Sequence, residues 1–212
     1  MSDTKEKNLN PLAIFAGFIP WIVFAIVASR LAADGVAWSA LLAAAIGVVF
    51  IVYNRRTGGP TQMDIYSVVL FGVIAVVGFI GDHAVDDWLY QWGRPLVGVI
   101  LGLTLLATSP VRPFTAEYAK RSTPREFWDS PLFRRINLVL SAAWGVVITL
   151  IGVSSVLVTV FDAHPTGTDS AHLVDFFLNW AIPIVLIVWM VHFTNSYPDR
   201  ARDRYLAGQA AV

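Results

Sequence analysis

Cysteine is absent from this chain, which excludes disulfides, thiolate nucleophiles, Fe–S clusters and cysteine-based zinc sites. Charge is scarce: only 14% of the 212 residues carry it, where a soluble domain has about a quarter. Lys+Arg and Asp+Glu stand at 15 each, so no excess of positive charge draws the chain to nucleic acid. Catalytic signatures are missing as well. The sequence has no GxSxG elbow, no HExxH pair, no Walker loop and no kinase set.

What is present is apolar length. Hydrophobic residues make up 56% of the chain, and they fall in runs. A spanning helix needs about 20 largely apolar residues, and six stretches meet that need: about 12–29, 36–53, 65–81, 95–111, 136–161 and 176–197. The fold class is therefore all-α, a polytopic membrane protein with six helices in three hairpins. Residues 1–10 form an N-terminal tail, 11–198 one transmembrane domain, and 199–212 a C-terminal tail. The tract Leu12 to Ser29 follows no small-residue cleavage site, so it reads as a retained helix and not as a signal peptide. Trp88, Tyr90 and Trp92 precede the fourth run and suit an interfacial belt.

The cations are segregated. All of the 15 Lys and Arg except Arg30 and Arg94 fall in the termini, the 54–60 loop and the central loop. The central loop alone carries Arg112, Lys120, Arg121, Arg125, Arg134 and Arg135. The opposite loops carry Asp34, Asp82, Asp86, Asp87, Asp162, Asp169 and Asp175, with His83, His164 and His172. The positive-inside rule then puts both termini in the cytoplasm of a bacterial inner membrane.

Within the central loop, Thr123-Pro124-Arg125-Glu126 has the form of a capping box with proline at the first helical position. It predicts a short interfacial helix that holds Phe127 and Trp128 at the headgroups. Ser130-Pro131 repeats the cap-plus-proline start ahead of the fifth span. Gly98 and Gly102 on the fourth span form a GxxxG pattern suited to internal helix packing.

Several of these segments resemble the bacterial intracellular septation protein A family of small inner-membrane proteins. Phe18-Ile19-Pro20 is similar to that family's Phe-Leu-Pro, and Asn54-Arg55-Arg56 to its basic loop. The stretch from Gly81-Asp82-His83 to Trp92 resembles its His/Asp-rich outer loop. Phe127-Trp128, Arg135-Ile136-Asn137-Leu138 and Trp144 resemble its Val-Trp, Leu-Asn-Leu and following aromatic. The likeness covers roughly residues 17–144. The chain departs in its longer outer loop, 162–175, and in Asn179-Trp180 where the family has Asn-Phe-Lys. The resemblance implies a non-enzymatic role in the cell envelope or division, with no cofactor and no catalytic residues to carry over.

Polar residues inside hydrocarbon are costly and turn inward. Asn137, Asn179 and His192, with Trp144 and Trp180, either make interhelical hydrogen bonds, the first reading, or line a polar pocket. Asp64 at the start of the third span suits a helix cap better than a proton-transfer site. Asp82, His83, Asp86 and Asp87 form an outer acidic loop whose spacing fits no metal-ligand signature. Partners follow from composition and resemblance: the lipid bilayer and a membrane protein of the envelope. The alternatives are a small-molecule or ion transporter with a pocket between helices 1, 5 and 6, or a membrane enzyme acting on lipid substrates.

Overall fold

In the computed structural model, residues 17–31, 35–56, 59–162 and 176–210 are described. The N-terminal tail, the loop 163–175 with His164 and His172, and Asp34 lie outside them. The described residues are helical, with no strand among them. The helices are α1 (Ile19–Arg30), α2 (Gly35–Asn54), α3 (Gln62–Ile80), α4 (His83–Trp88), α5 (Arg94–Thr108), α6 (Phe114–Ala119), α7 (Pro131–Asp162) and α8 (Ile182–Ala210).

Five helices are long and apolar enough to cross a membrane: Gly35–Asn54, Gln62–Ile80, His83–Thr108, Pro131–Phe161 and Phe177–Gln209. The described part of the first expected span is the 12-residue α1. At 1.5 Å per residue it reaches about 18 Å, short of a hydrocarbon core of about 30 Å.

Two seams hold the bundle. In the first, α5 runs along α7 backbone to backbone. A Cβ on Gly98 would meet the Gly152 Cα at 3.0 Å, and one on Gly145 would meet the Gly102 carbonyl at 3.1 Å. Close approach of this kind requires residues without side chains. The GxxxG pair is thus spent inside the molecule. In the second seam, α2 packs along α3 through small buried residues: a Cβ on Gly47 would meet Ser67 Oγ at 2.5 Å, and one on Gly78 would meet the Ala37 Cβ at 2.7 Å. Small residues again let the helices close up.

Aromatic rings fill the centre. Phe71 of α3 sits 4.8 Å from both Trp21 and Phe24 of α1. Phe18 stacks on Trp144 of α7 at 5.9 Å and meets Phe114 of α6 edge-on at 6.3 Å. α8 packs mainly on α7 and leaves most of its surface open.

Several boundaries differ from expectation, each for a local reason. The fourth crossing does not begin near residue 95. Asp82 accepts a hydrogen bond from the Val85 N–H at 3.1 Å, caps α4 and starts the helix there. The run His83 to Asp87 is therefore helical, with Asp82 as its extended cap, and Trp88, Tyr90 and Trp92 ride on the same continuous rod. The last helix does not stop at Tyr197 but carries Pro198 inside it and runs to Ala210. Good helix formers follow that proline, so the lost N–H is not compounded by poor propensity.

Two π turns share one cause. Leu89–Gly93 and Phe177–Ala181 each end two residues before a proline, Pro95 and Pro183. A proline has no N–H to give and crowds the carbonyl one turn back, so the ladder widens by a residue. α7 supplies hydroxyls to the freed carbonyls. Thr159 Oγ1 approaches the Gln91 carbonyl at 3.5 Å, and Ser154 Oγ donates to that of Leu178.

Candidate binding groove on the basic face

The third helix begins with a capping box built by Thr61 and Asp64. The Asp64 N–H donates to Thr61 Oγ1 at 3.3 Å, and Asp64 Oδ2 accepts from the Thr61 N–H at 2.9 Å. Asn54, at the end of α2, adds a third bond: its Nδ2 donates to Asp64 Oδ2 at 2.8 Å. Asp64 is thus a cap, fully enclosed, that ties the α2–α3 turn shut.

Next to it lies a second polar knot. Glu117 of α6 accepts from the Gln62 N–H at 2.8 Å and from Arg112 Nη2 at 2.8 Å. Gln62 Nε2 donates to the Arg112 carbonyl at 3.0 Å, and Tyr66 donates to Gln62 Oε1 at 3.1 Å. The N-terminal turn of α3 thus meets the carboxylate it electrically prefers, supplied by another helix.

The other face of α6 docks on α7. Thr115 Oγ1 donates to the Asn137 carbonyl at 3.0 Å, and the Thr115 N–H donates to Ser141 Oγ at 3.2 Å. Phe114, Thr115, Tyr118 and Ala119 are all buried. This corrects the expectation for the central loop. Its helix is Phe114–Ala119, packed between α3 and α7, and not an amphipathic segment starting at Thr123. Arg125–Phe127 makes a single 3-10 turn with no side-chain cap. The reason is competition: Trp128 Nε1 donates to the Thr123 carbonyl at 2.9 Å and curls the chain back. The sequence did carry a signal for α6, since Pro113 precedes it and Glu117 falls in its first turn.

Burial pushes the Tyr118 hydroxyl up to about 12. The neighbouring Thr61 hydroxyl opposes the rise without an aligned hydrogen bond, while Asp64 and Glu117 add to it. The hydroxyl packs on Gly17, where any side chain would collide with it.

These contacts fold the central loop over a groove of about 1190 Å³. Its walls carry Arg112, Lys120, Arg121, Arg125, Arg134 and Arg135, all six cations of the loop, against Glu117 and Asp129. Both carboxylates are already engaged, by Arg112 at 2.8 Å and by Arg134 at 2.8 Å. Lys120 and Arg125 lie over the Trp128 ring at 5.2 and 5.7 Å, and Arg121 over Tyr118 at 5.7 Å. Among the described residues, Lys120, Arg121, Arg125 and Arg135 have no carboxylate partner within 4.0 Å. The floor is part apolar, with Phe133 and Leu138, and it includes Asn137. Asn137 Nδ2 donates to the Phe133 carbonyl at 2.9 Å, and its buried Oδ1 has no donor.

The residues expected to share an intramembrane pocket stand at different levels. Asn137 belongs to the groove. Trp144, two turns along α7, donates from Nε1 to Thr194 Oγ1 of α8 at 3.1 Å. Asn179 and Trp180 lie in the distant π turn, whose Leu178 is bonded to Ser154. Ser154 is about 25 Å along α7 from Asn137 at helical rise. Trp180 and His192 are exposed. Asn179 has a polar interaction of its own. Of the outer residues, Asp82 caps α4 and His83, Asp86 and Asp87 lie on it, and no group of three or more such ligands converges among the described residues. Comparison with protein-family models, curated proteins and solved structures gives no match.

Proposed function

We propose that this chain is a six-span protein of a bacterial cytoplasmic membrane that serves envelope upkeep and division through contacts, not catalysis. In this reading residues 12–29 are its first crossing, and both termini share the cytoplasm with the groove. The observation that carries this reading is the convergence of six loop cations in one groove at the ends of α5 and α7. Positive charge at the end of a span both fixes orientation and attracts acidic partners. The resemblance to septation protein A supplies the envelope setting.

The test is genetic complementation in the host cell. Deletion is expected to lengthen cells or sensitise the envelope, and the native chain to restore both. A form with Lys120, Arg121, Arg125 and Arg135 changed to Gln is expected to reach the membrane and fail to restore them. An unaltered deletion strain, or full rescue by the neutralised form, contradicts the reading.

A carrier is the rival reading. It draws on the two proline-linked π turns near one end of the bundle, since interrupted helices are a feature of transporters. Solute flux into liposomes holding the purified chain would favour it.

A further inference from the structure

The groove combines six cations with the apolar side chains of Phe133 and Leu138 in its lining. We propose that it is a phosphodiester site, taking the headgroup of an anionic phospholipid from the leaflet around it. This rests on the reading of that face as the working surface of a membrane protein, and it names the partner.

Depth comes first. The groove is framed by Ser109, Pro110 and Val111, just past the end of α5, and by Phe133, Arg134 and Asn137 in the first turns of α7. α5 and α7 are both spanning helices, so their ends on this side mark the boundary where lipid phosphates lie. Val111 in the lining, and Phe127 next in sequence to Trp128, expose apolar surface.

Charge comes second. Arg112 and Arg134 are paired within the chain, which leaves Lys120, Arg121, Arg125 and Arg135 without a carboxylate within 4.0 Å among the described residues. Lys120 and Arg125 over Trp128, and Arg121 over Tyr118, are held in place without being cancelled. Arginine forks and a lysine are the donors that phosphate oxygens accept from. A juxtamembrane cluster of this size is an electrostatic site for acidic lipid.

The third feature selects among headgroups. Six cations against two arginine-paired carboxylates leave the groove positive, which disfavours an ammonium group. Asn137 sits in the floor, 1% exposed, with an unsatisfied acceptor. An acceptor is satisfied by a hydroxyl, and the headgroup that pairs one negative phosphodiester with hydroxyls is a phosphatidylglycerol type. Phe133 and Leu138 offer apolar contact for the glycerol backbone below it.

The experiment uses the full chain purified in mild detergent and analysed by native mass spectrometry. Phosphatidylglycerol and phosphatidylcholine are supplied together in equal amounts. A parallel sample receives inorganic phosphate in large excess. One phosphatidylglycerol is expected to stay bound in preference to phosphatidylcholine and to resist displacement by phosphate. Arg121→Gln, Arg125→Gln and Arg135→Gln together should weaken it by roughly a hundredfold, at the usual contribution per juxtamembrane cation. Arg200→Gln, Arg202→Gln and Arg204→Gln on α8 remove equal charge elsewhere and should leave it unchanged.

Equal retention of both lipids, or equal loss in both triple variants, overturns the proposal. Displacement by phosphate assigns the groove to a soluble phosphate compound instead. Groove-dependent capture of an acidic protein without lipid preference assigns it to a protein partner. The variants change exposed side chains only, and an unaltered thermal transition by circular dichroism checks that they fold. Because no cell is involved, failure here is separate from failure of the complementation test.

Discussion

Two seams of this bundle are built in opposite ways. α5 meets α7 through glycine, with Gly98 on Gly152 and Gly102 on Gly145. α3 meets α6 through polar groups, with Gln62, Glu117 and Arg112 bonded in a chain and Asp64 capped beside them. The first seam is specified by shape and has no titratable group in it. The second is specified by hydrogen bonds that must all be made, because each unmade one leaves a buried donor or acceptor. Both end at the groove. The glycine seam therefore fixes where its walls stand, and the polar seam decides whether the central loop closes over it.

Breaking the glycine seam should have the largest effect. Gly102→Leu drives a side chain into the α7 backbone and should cost about 3 kcal/mol or more, read as lost resistance to denaturant in detergent. Gly72→Leu is the matched control: nothing lies within 4 Å of its Cβ position, so its stability should stay near native.

The polar seam should instead respond to pH. Tyr118 is raised to about 12 by burial, while the unfolded phenol ionises near its ordinary value of about 10. The unfolded chain therefore loses its proton first. The native state keeps this stability in full below about pH 10 and loses it as pH climbs toward 12, on the order of 2 to 3 kcal/mol in total. Thermal midpoints across that range should fall for the native chain, and Tyr118→Phe should flatten the fall.

Smaller changes sharpen the same contrast. Asp64→Leu removes the acceptor of the buried Thr61 N–H and one bond of the Asn54 amide and should cost about 2 kcal/mol; Asp64→Asn, which can still accept, should cost less. Two turns along α7 from the groove, Trp144→Phe removes the indole N–H that donates to Thr194 Oγ1. It should lower stability by about 0.6 kcal/mol, the average for such bonds between membrane helices.

Much of this architecture was legible in the chain itself, because the apolar runs of 36–53 and 136–161 can do little else in lipid. The cap at Asp64 and the start of α7 at Pro131, with the Phe133 N–H bonded to Ser130 Oγ at 3.2 Å, were visible for the same local reasons. The docked helix Phe114–Ala119 was not. Six residues carry too little periodicity to reveal a face, and its contacts with Asn137 and Ser141 lie more than 20 positions away. The six cations were read correctly as a cluster in sequence. Their convergence on one groove was hidden, since it depends on α6 folding back between α3 and α7. The pocket offered as the alternative reading of Asn137, Asn179 and His192 follows from helix depth, and depth does not say which face a residue turns to its neighbours.

Underneath all of this lies the claim that the groove and the start of α4 are on opposite sides of the membrane. The absence of cysteine makes that directly measurable with single-cysteine variants at two exposed sites, Glu126→Cys beside the groove and Asp87→Cys on α4. With a membrane-impermeant maleimide, Asp87→Cys should label in intact cells and Glu126→Cys only after the membrane is opened. Labelling of both in intact cells, or of neither until lysis, would contradict the account.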